Sequence, residues 1–155
     1  MRMKATYQRP HGIEHFLAFY DVHGDYLNGI FRSRRGVAEV SEAFRQLRTC
    51  YPRKSLYVVL DNLHSVHDPP PFLALLKKLH IHAAWTPTEA SWLNLIEAQF
   101  GVLQKFTLAN TDDPDQECRP NRVYACLRYR HHRLGNSNHP LKRLSPSRRV
   151  KLEPH

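Results

Sequence analysis

Ser55-Leu-Tyr-Val-Val-Leu-Asp-Asn62 is an apolar run that stops on a carboxylate. Leu56 to Leu60 shows no polar alternation. Such a strand is expected to be covered on both faces, in the middle of a mixed or parallel sheet. Asp61 then stands at the carboxyl end of the strand, where open α/β sheets place their ligands. After a further 35 residues comes Glu97, inside Ala90-Ser-Trp-Leu-Asn-Leu-Ile-Glu-Ala-Gln-Phe100. Leu93, Ile96, Phe100 and Leu103 recur there as a helical core stripe, with Ser91 as its expected N-cap. Glu97 falls at the border of that stripe, where a carboxylate is costly to bury unless paired or metal-bound. Alone, Asp61 reads as the start of a turn and Glu97 as a solvated helix charge. Together, a strand-ending Asp and a later helical Glu can converge on one divalent metal.

The elements around this pair follow from local patterns. His15-Phe-Leu-Ala-Phe-Tyr-Asp21 and Tyr26 to Arg32 read as the strands of a hairpin, turned at Gly24-Asp25. Val37, Val40, Phe44, Leu47 and Tyr51 lie on one face of an amphipathic helix that Pro52 ends. Pro69-Pro-Pro71 leads into a short helix through Phe72, Leu75, Leu76 and Leu79. Ile81 to Trp85 reads as another buried strand. Helices linking such strands must pack on the sheet. Arg119 to Arg133 forms a last helix, with Val123, Leu127 and Leu134 on one side and a crowd of cations on the rest. The reading divides the chain into a domain over 1–134 and a basic, flexible tail over 135–155. Met1 to Gly12 reads as a polar, irregular leader.

The 155 residues suit one domain with a real core. Net charge is +9 and the isoelectric point about 9.8, so an anionic partner is expected, with nucleic acid first and a merely soluble basic surface as the alternative. Cys50, Cys118 and Cys126 form no CxxC pair, which points away from a disulfide framework and a Cys-rich zinc site. A cytoplasmic location is expected, with no membrane association, because no apolar run approaches a membrane span.

Phosphodiester chemistry on paired carboxylates uses two metal ions about 4 Å apart, one activating the attacking oxygen and one steadying the leaving oxygen. Hard oxygen ligands suit Mg²⁺ or Mn²⁺, so Asp61 and Glu97 are the expected metal ligands.

Thr6-Tyr-Gln-Arg-Pro-His-Gly12, Phe19-Tyr-Asp-Val-His23, Val58-Val-Leu-Asp-Asn62, Trp85-Thr-Pro87 and Ala90-Ser-Trp-Leu-Asn-Leu-Ile-Glu97 together resemble the catalytic domain of bacterial insertion-sequence transposases. The branch is the mariner-related one of the DDE superfamily, and the resemblance runs from about Ala5 to His132. It implies an RNase H-like mixed α/β sheet flanked by helices. It also implies Mg²⁺-dependent nicking of element ends and their joining to target DNA. Asp61 would be the second catalytic carboxylate and Glu97 the third. Asn62, Asn94, Arg122, Arg128 and Arg130 are the expected nucleic-acid contacts. Expected partners are DNA, further copies of the chain or full-length transposase, with bacterial nucleoid association.

The sequence departs from the family at two places. The first catalytic Asp belongs to a sheet strand ahead of His15 that has no counterpart here. A gap beside Leu56–Leu60 and doubtful activity are therefore expected of a truncated form. Asp21 is the nearest substitute ligand, against a turn-capping role. The family also has a His five residues beyond its Asp; Val66 holds that place, with His67 beside it as a possible substitute. The competing reading is a non-catalytic DNA-binding or oligomerisation fragment that modulates full-length transposase.

Overall fold

A computed structural model describes residues 14–61, 70–87, 94–107 and 118–144. In chain order the elements are β1 (His15–Asp21), β2 (Tyr26–Arg32), α1 (Val37–Cys50), β3 (Leu56–Leu60), α2 (Pro70–Lys78), β4 (Ile81–Trp85), α3 (Ile96–Thr107), α4 (Cys118–Arg133) and a 3₁₀ turn (Pro140–Arg143). The strands form two pairs. β1 and β2 are antiparallel, with His15 opposite Arg32 and Asp21 opposite Tyr26. β3 and β4 are parallel, with Leu56 beside Ile81 and Leu60 beside Trp85.

The hairpin closes because Asp21 Oδ1 accepts the backbone N–H groups of His23 (3.0 Å) and Gly24 (3.2 Å). Asp25 completes the turn at φ 44°, a conformation that Asp tolerates better than most residues. Helix α1 starts at Gly36, whose N–H donates to Glu39 Oε2 (3.0 Å), so the carboxylate occupies the positive end of the helix.

The hairpin is buried on both faces. On one side Tyr26 and Ile30 join Val40, Phe44, Leu47, Phe72, Leu76 and Ile81 in the larger core. On the other, Leu27 packs with Leu103, Val123 and Leu127, flanked by Phe16, Phe31 and Tyr124. Complete burial of a side chain such as Phe72 is worth about 1.5–3 kcal/mol.

The expectation that β3 is covered on both faces does not hold among the described residues. Leu56, Val58 and Leu60 face the core, but Tyr57 is 78% and Val59 52% exposed. β4 likewise is not a fully buried strand, since His82, Ala84 and Trp85 are exposed. An unbroken apolar run names no neighbours, and β-branched and aromatic residues also suit a half-exposed strand. Among the described residues β3 bonds only to β4, and a cleft of about 620 Å³ lies between β3 and β1.

Residues 135–144 depart from the loose tail expected over 135–155. Gly135 adopts φ 70° and ends α4 as a Schellman motif, with Asn136 N–H donating to His131 O (2.9 Å) and Gly135 N–H to His132 O (3.2 Å). The chain then returns to the hairpin and buries Leu141 and Leu144, 1% and 2% exposed, in the larger core. Leu134, expected on the buried side of α4, is 48% exposed.

Candidate functional site

The cleft between the two strand pairs is walled by β1 and β3 along their length. α1 contributes Val40, Phe44 and Leu47, and the start of α3 contributes Asn94, Ile96, Glu97 and Phe100. Its polar groups include Asp21, Asp61, Asn94 and Glu97. The Asp and Glu singled out from the sequence therefore open onto one cavity, one from the end of β3 and the other from the first turn of α3.

Asp61 is half-buried where the β3–β4 ladder runs out. Thr86 N–H donates to Leu60 O (2.9 Å), carrying the parallel pairing one residue past β4. The Thr86 hydroxyl donates to Asp61 Oδ1 (3.2 Å). Thr86 is itself buried, so its hydroxyl is a fixed anchor for the carboxylate. Sequence reasoning met Thr86 within the Trp85-Thr-Pro87 motif and gave it no role at the site. The signal that finds it is the register: Leu60 beside Trp85 places Asp61 beside Thr86.

Asn94 is turned to the start of α3. Its Oδ1 accepts from Ile96 N–H (3.4 Å) and its carbonyl from Glu97 N–H (3.1 Å). Asn94 thus sets where the helix begins, and with it where Glu97 projects. The helix starts at Ile96, later than expected. Ser91, Leu93, Asn62 and His67 lie outside the described residues.

Asp21 lines the same cleft, yet both its oxygens are occupied. Besides the two turn N–H groups on Oδ1, Oδ2 accepts from Tyr51 OH (3.0 Å) and pairs with His139 Nε2 (3.0 Å). Burial pushes its pKa up, but the Gly24 N–H, the Tyr51 hydroxyl and His139 outweigh it, and the net shift is downward. Among the described residues no three His, Cys, Asp or Glu side chains come together as a metal-binding group.

The three arginines expected to contact DNA differ. Arg130 Nη2 pairs with Asp25 Oδ1 (2.5 Å) and its Nη1 donates to Gln99 Oε1 (2.7 Å), tying α4 to the hairpin turn and to α3. Arg122 Nη1 donates to Thr107 O (3.3 Å). Arg128 is exposed. Sequence reasoning also missed an aromatic stack beside the cleft, in which Tyr26 lies between His131 (3.6 Å) and His139 (4.2 Å). Burial, then Arg130 and His139, push the His131 pKa down to about 4.

A family model described as DDE superfamily endonuclease matches residues 2–117. The chain belongs to this family. No curated relative matches it. Among solved structures, the DDE endonuclease chain is similar to the HTLV-2 integrase catalytic core domain in complex with magnesium (dimeric form). The TM-score is 0.56 at 16% identity, covering 78% of this chain and 77% of that one. It is also similar to a chain of the simian T-cell lymphotropic virus intasome in complex with PP2A regulatory subunit B56 gamma. There the TM-score is 0.59 at 16% identity, covering 92% of this chain and 56% of that one. At such identity the likeness speaks for the fold: a mixed α/β, RNase H-like arrangement of small sheets flanked by helices. No described helix of the DDE endonuclease is long and apolar enough to cross a membrane.

Proposed function

We propose that this chain is the DNA-nicking and strand-transfer domain of a bacterial insertion-sequence transposase of the mariner-related branch, with Asp61 and Glu97 as metal ligands. The observation that carries this reading is that a DDE superfamily endonuclease opens these two carboxylates onto one cleft. Two carboxylates at the end of a strand and the start of a helix form a hard-oxygen donor set that fits Mg²⁺ or Mn²⁺. When bound, the metal activates an attacking oxygen and stabilises the leaving one. The protein's part is to hold its ligands. Thr86 orients Asp61, and Asn94 sets the helix start that aims Glu97. DNA, further copies of the chain and full-length transposase are the partners in this reading, in a bacterial cytoplasm at the nucleoid.

Isothermal titration with Mn²⁺ tests the reading. Asp61→Asn and Glu97→Gln should each weaken metal binding by an order of magnitude or more, and metal affinity unchanged in both would refute it.

A second reading is favoured by Asp21, whose oxygens are already engaged by the turn, Tyr51 and His139. In it Asp21 serves the turn and not a metal, and Asp61 and Glu97 alone do not complete a two-metal site. The chain is then a non-catalytic module that binds DNA or oligomerises and modulates full-length transposase. DNA binding that survives both carboxylate substitutions, without metal-stimulated nicking by the wild-type chain, would favour this second reading.

A further inference from the structure

The end of the β3–β4 pair remote from Asp61 carries a feature that the carboxylate site does not use. A hollow of about 570 Å³ is bordered there by Arg48, Arg53, Lys54, Lys78, His80 and His82, and none of its lining residues is acidic. Arg53, Lys54 and Lys78 are exposed. Among the described residues no carboxylate forms an ion pair with them. Arg48 holds the hollow together: its guanidinium donates to the carbonyls of Tyr51 (2.9 Å), Lys54 (2.8 Å) and His80 (2.8 Å). These bonds clamp the turn before β3 to the turn before β4. The acceptors are neutral, so the charge of Arg48 adds to the positive field instead of being cancelled. Four permanent cations facing one concavity repel one another, and a multivalent anion relieves that repulsion.

An aromatic pair at the rim of the hollow lies on the side toward the carboxylates. His82, on its rim, stacks on Tyr57 with ring centroids 4.8 Å apart and planes 18° apart, and Tyr57 is the more exposed of the two strands' aromatics. Tyr57 and Val59 then lead along the outward face of β3 to Asp61, about 17 Å from Leu56 at the usual strand rise. A cationic hollow followed by an exposed aromatic is the combination that holds a nucleic-acid strand, with phosphates on the cations and an unpaired base on the ring.

Resting on the reading of the chain as a DNA-acting domain, we infer that this hollow docks the phosphodiester backbone of DNA and that Tyr57 and His82 form the stacking wall leading toward Asp61. The test measures affinity for an oligonucleotide duplex with a single-stranded overhang across a salt series, using the full chain. Arg53→Ala, Lys54→Ala and Lys78→Ala are combined in one variant. A control variant loses the same charge elsewhere on the surface, through Arg45→Ala, Lys105→Ala and Lys142→Ala. The hollow variant should bind about ten-fold or more weaker at ~0.1 M salt, with a log–log salt slope shallower by about 2–3, while the control changes much less. Tyr57→Ala should weaken binding of the overhang substrate and leave a blunt duplex unaffected. Equal losses in the hollow and control variants would overturn the dock while leaving the DNA-acting reading in place. Absence of wild-type DNA binding at low salt would overturn both.

Discussion

Asp21 and His139 are 118 positions apart in the chain and meet at 3.0 Å, where the segment after α4 returns to the hairpin turn. Leu141 N–H donates to His139 Nδ1 (3.2 Å), so the neutral ring carries its proton on Nε2, toward the Asp21 carboxylate. Tyr51 OH adds a third element to the same carboxylate, so β1, α1 and the C-terminal strap are joined at one side chain.

Removing that side chain should cost stability. Asp21→Ala loses four hydrogen bonds and should destabilise the fold by about 2–3 kcal/mol in a urea titration. The Asp21 pKa is depressed in the folded state. Its contribution is therefore complete above the ordinary value of 3.8 and is lost as pH falls below it. The stability difference between wild type and Asp21→Asn should accordingly shrink below pH 3.8. A difference that grows there would contradict the assignment.

His131 gives a pH dependence at higher values. Its pKa drops from 6.5 to about 4 because the ring is buried beside Arg130 and His139. An unfolded chain binds this proton between those two values and the folded chain does not, so stability should fall as pH drops from 6.5 toward 4. The loss should reach roughly 2–3 kcal/mol. His131→Phe keeps a ring stacked on Tyr26 and should flatten this part of a plot of denaturation midpoint against pH.

Arg130 and Arg128 should separate stability from binding. Arg130→Ala breaks the pair with Asp25 and the bond to Gln99, and a loss of about 1–2 kcal/mol is expected on thermal unfolding. Arg128→Ala, at an exposed site, should leave the melting temperature unchanged and reduce DNA affinity alone. If Arg130→Ala melted like wild type, its described contacts would carry no net stability.

Thr86→Val keeps the shape of the buried side chain and deletes the donor to Asp61 Oδ1. The bulk fold should survive, while Mn²⁺ affinity in calorimetry falls on the order of ten-fold, as losses of groups that orient metal ligands typically do. A variant with unchanged metal affinity would remove Thr86 from the site.

Two glycines are expected to resist alanine for different reasons. At Gly29 a Cβ would sit 2.4 Å from the Leu17 carbonyl and 2.7 Å from Ala18 Cα, both backbone, so the hairpin must open. Gly29→Ala should cost about 1–3 kcal/mol. At Gly135 nothing lies within 4 Å of the added atom, but φ is 70°. Gly135→Ala should therefore cost only the left-handed penalty, about 1–2 kcal/mol. Chevron or equilibrium denaturation of the two variants measures both.

Much of this protein was legible in the chain itself. The hairpin, α1 up to the Pro52 break, the β3 and β4 runs, α2 and the arginine-rich α4 all follow from patterns that repeat within four residues, and a local pattern reports local conformation. The positions of Asp61 at a strand end and Glu97 early in a helix were readable too, because each belongs to such an element. Tertiary structure decided which faces are covered. The hairpin is buried on both sides and β3 on one, because α1 and α4 dock on the hairpin from opposite sides, and no local period encodes that choice. It decided that Arg130 faces Asp25 while Arg128 faces solvent, two residues away along α4 and about half a turn apart in direction. It also turned residues 136–144 of an expected tail into a strap, because burying Leu141 and Leu144 and pairing His139 with Asp21 requires a surface built largely by the hairpin, more than a hundred positions earlier. Composition near Gly135 registers only the turn; the apolar pocket that receives the strap exists only once the hairpin and α1 have packed.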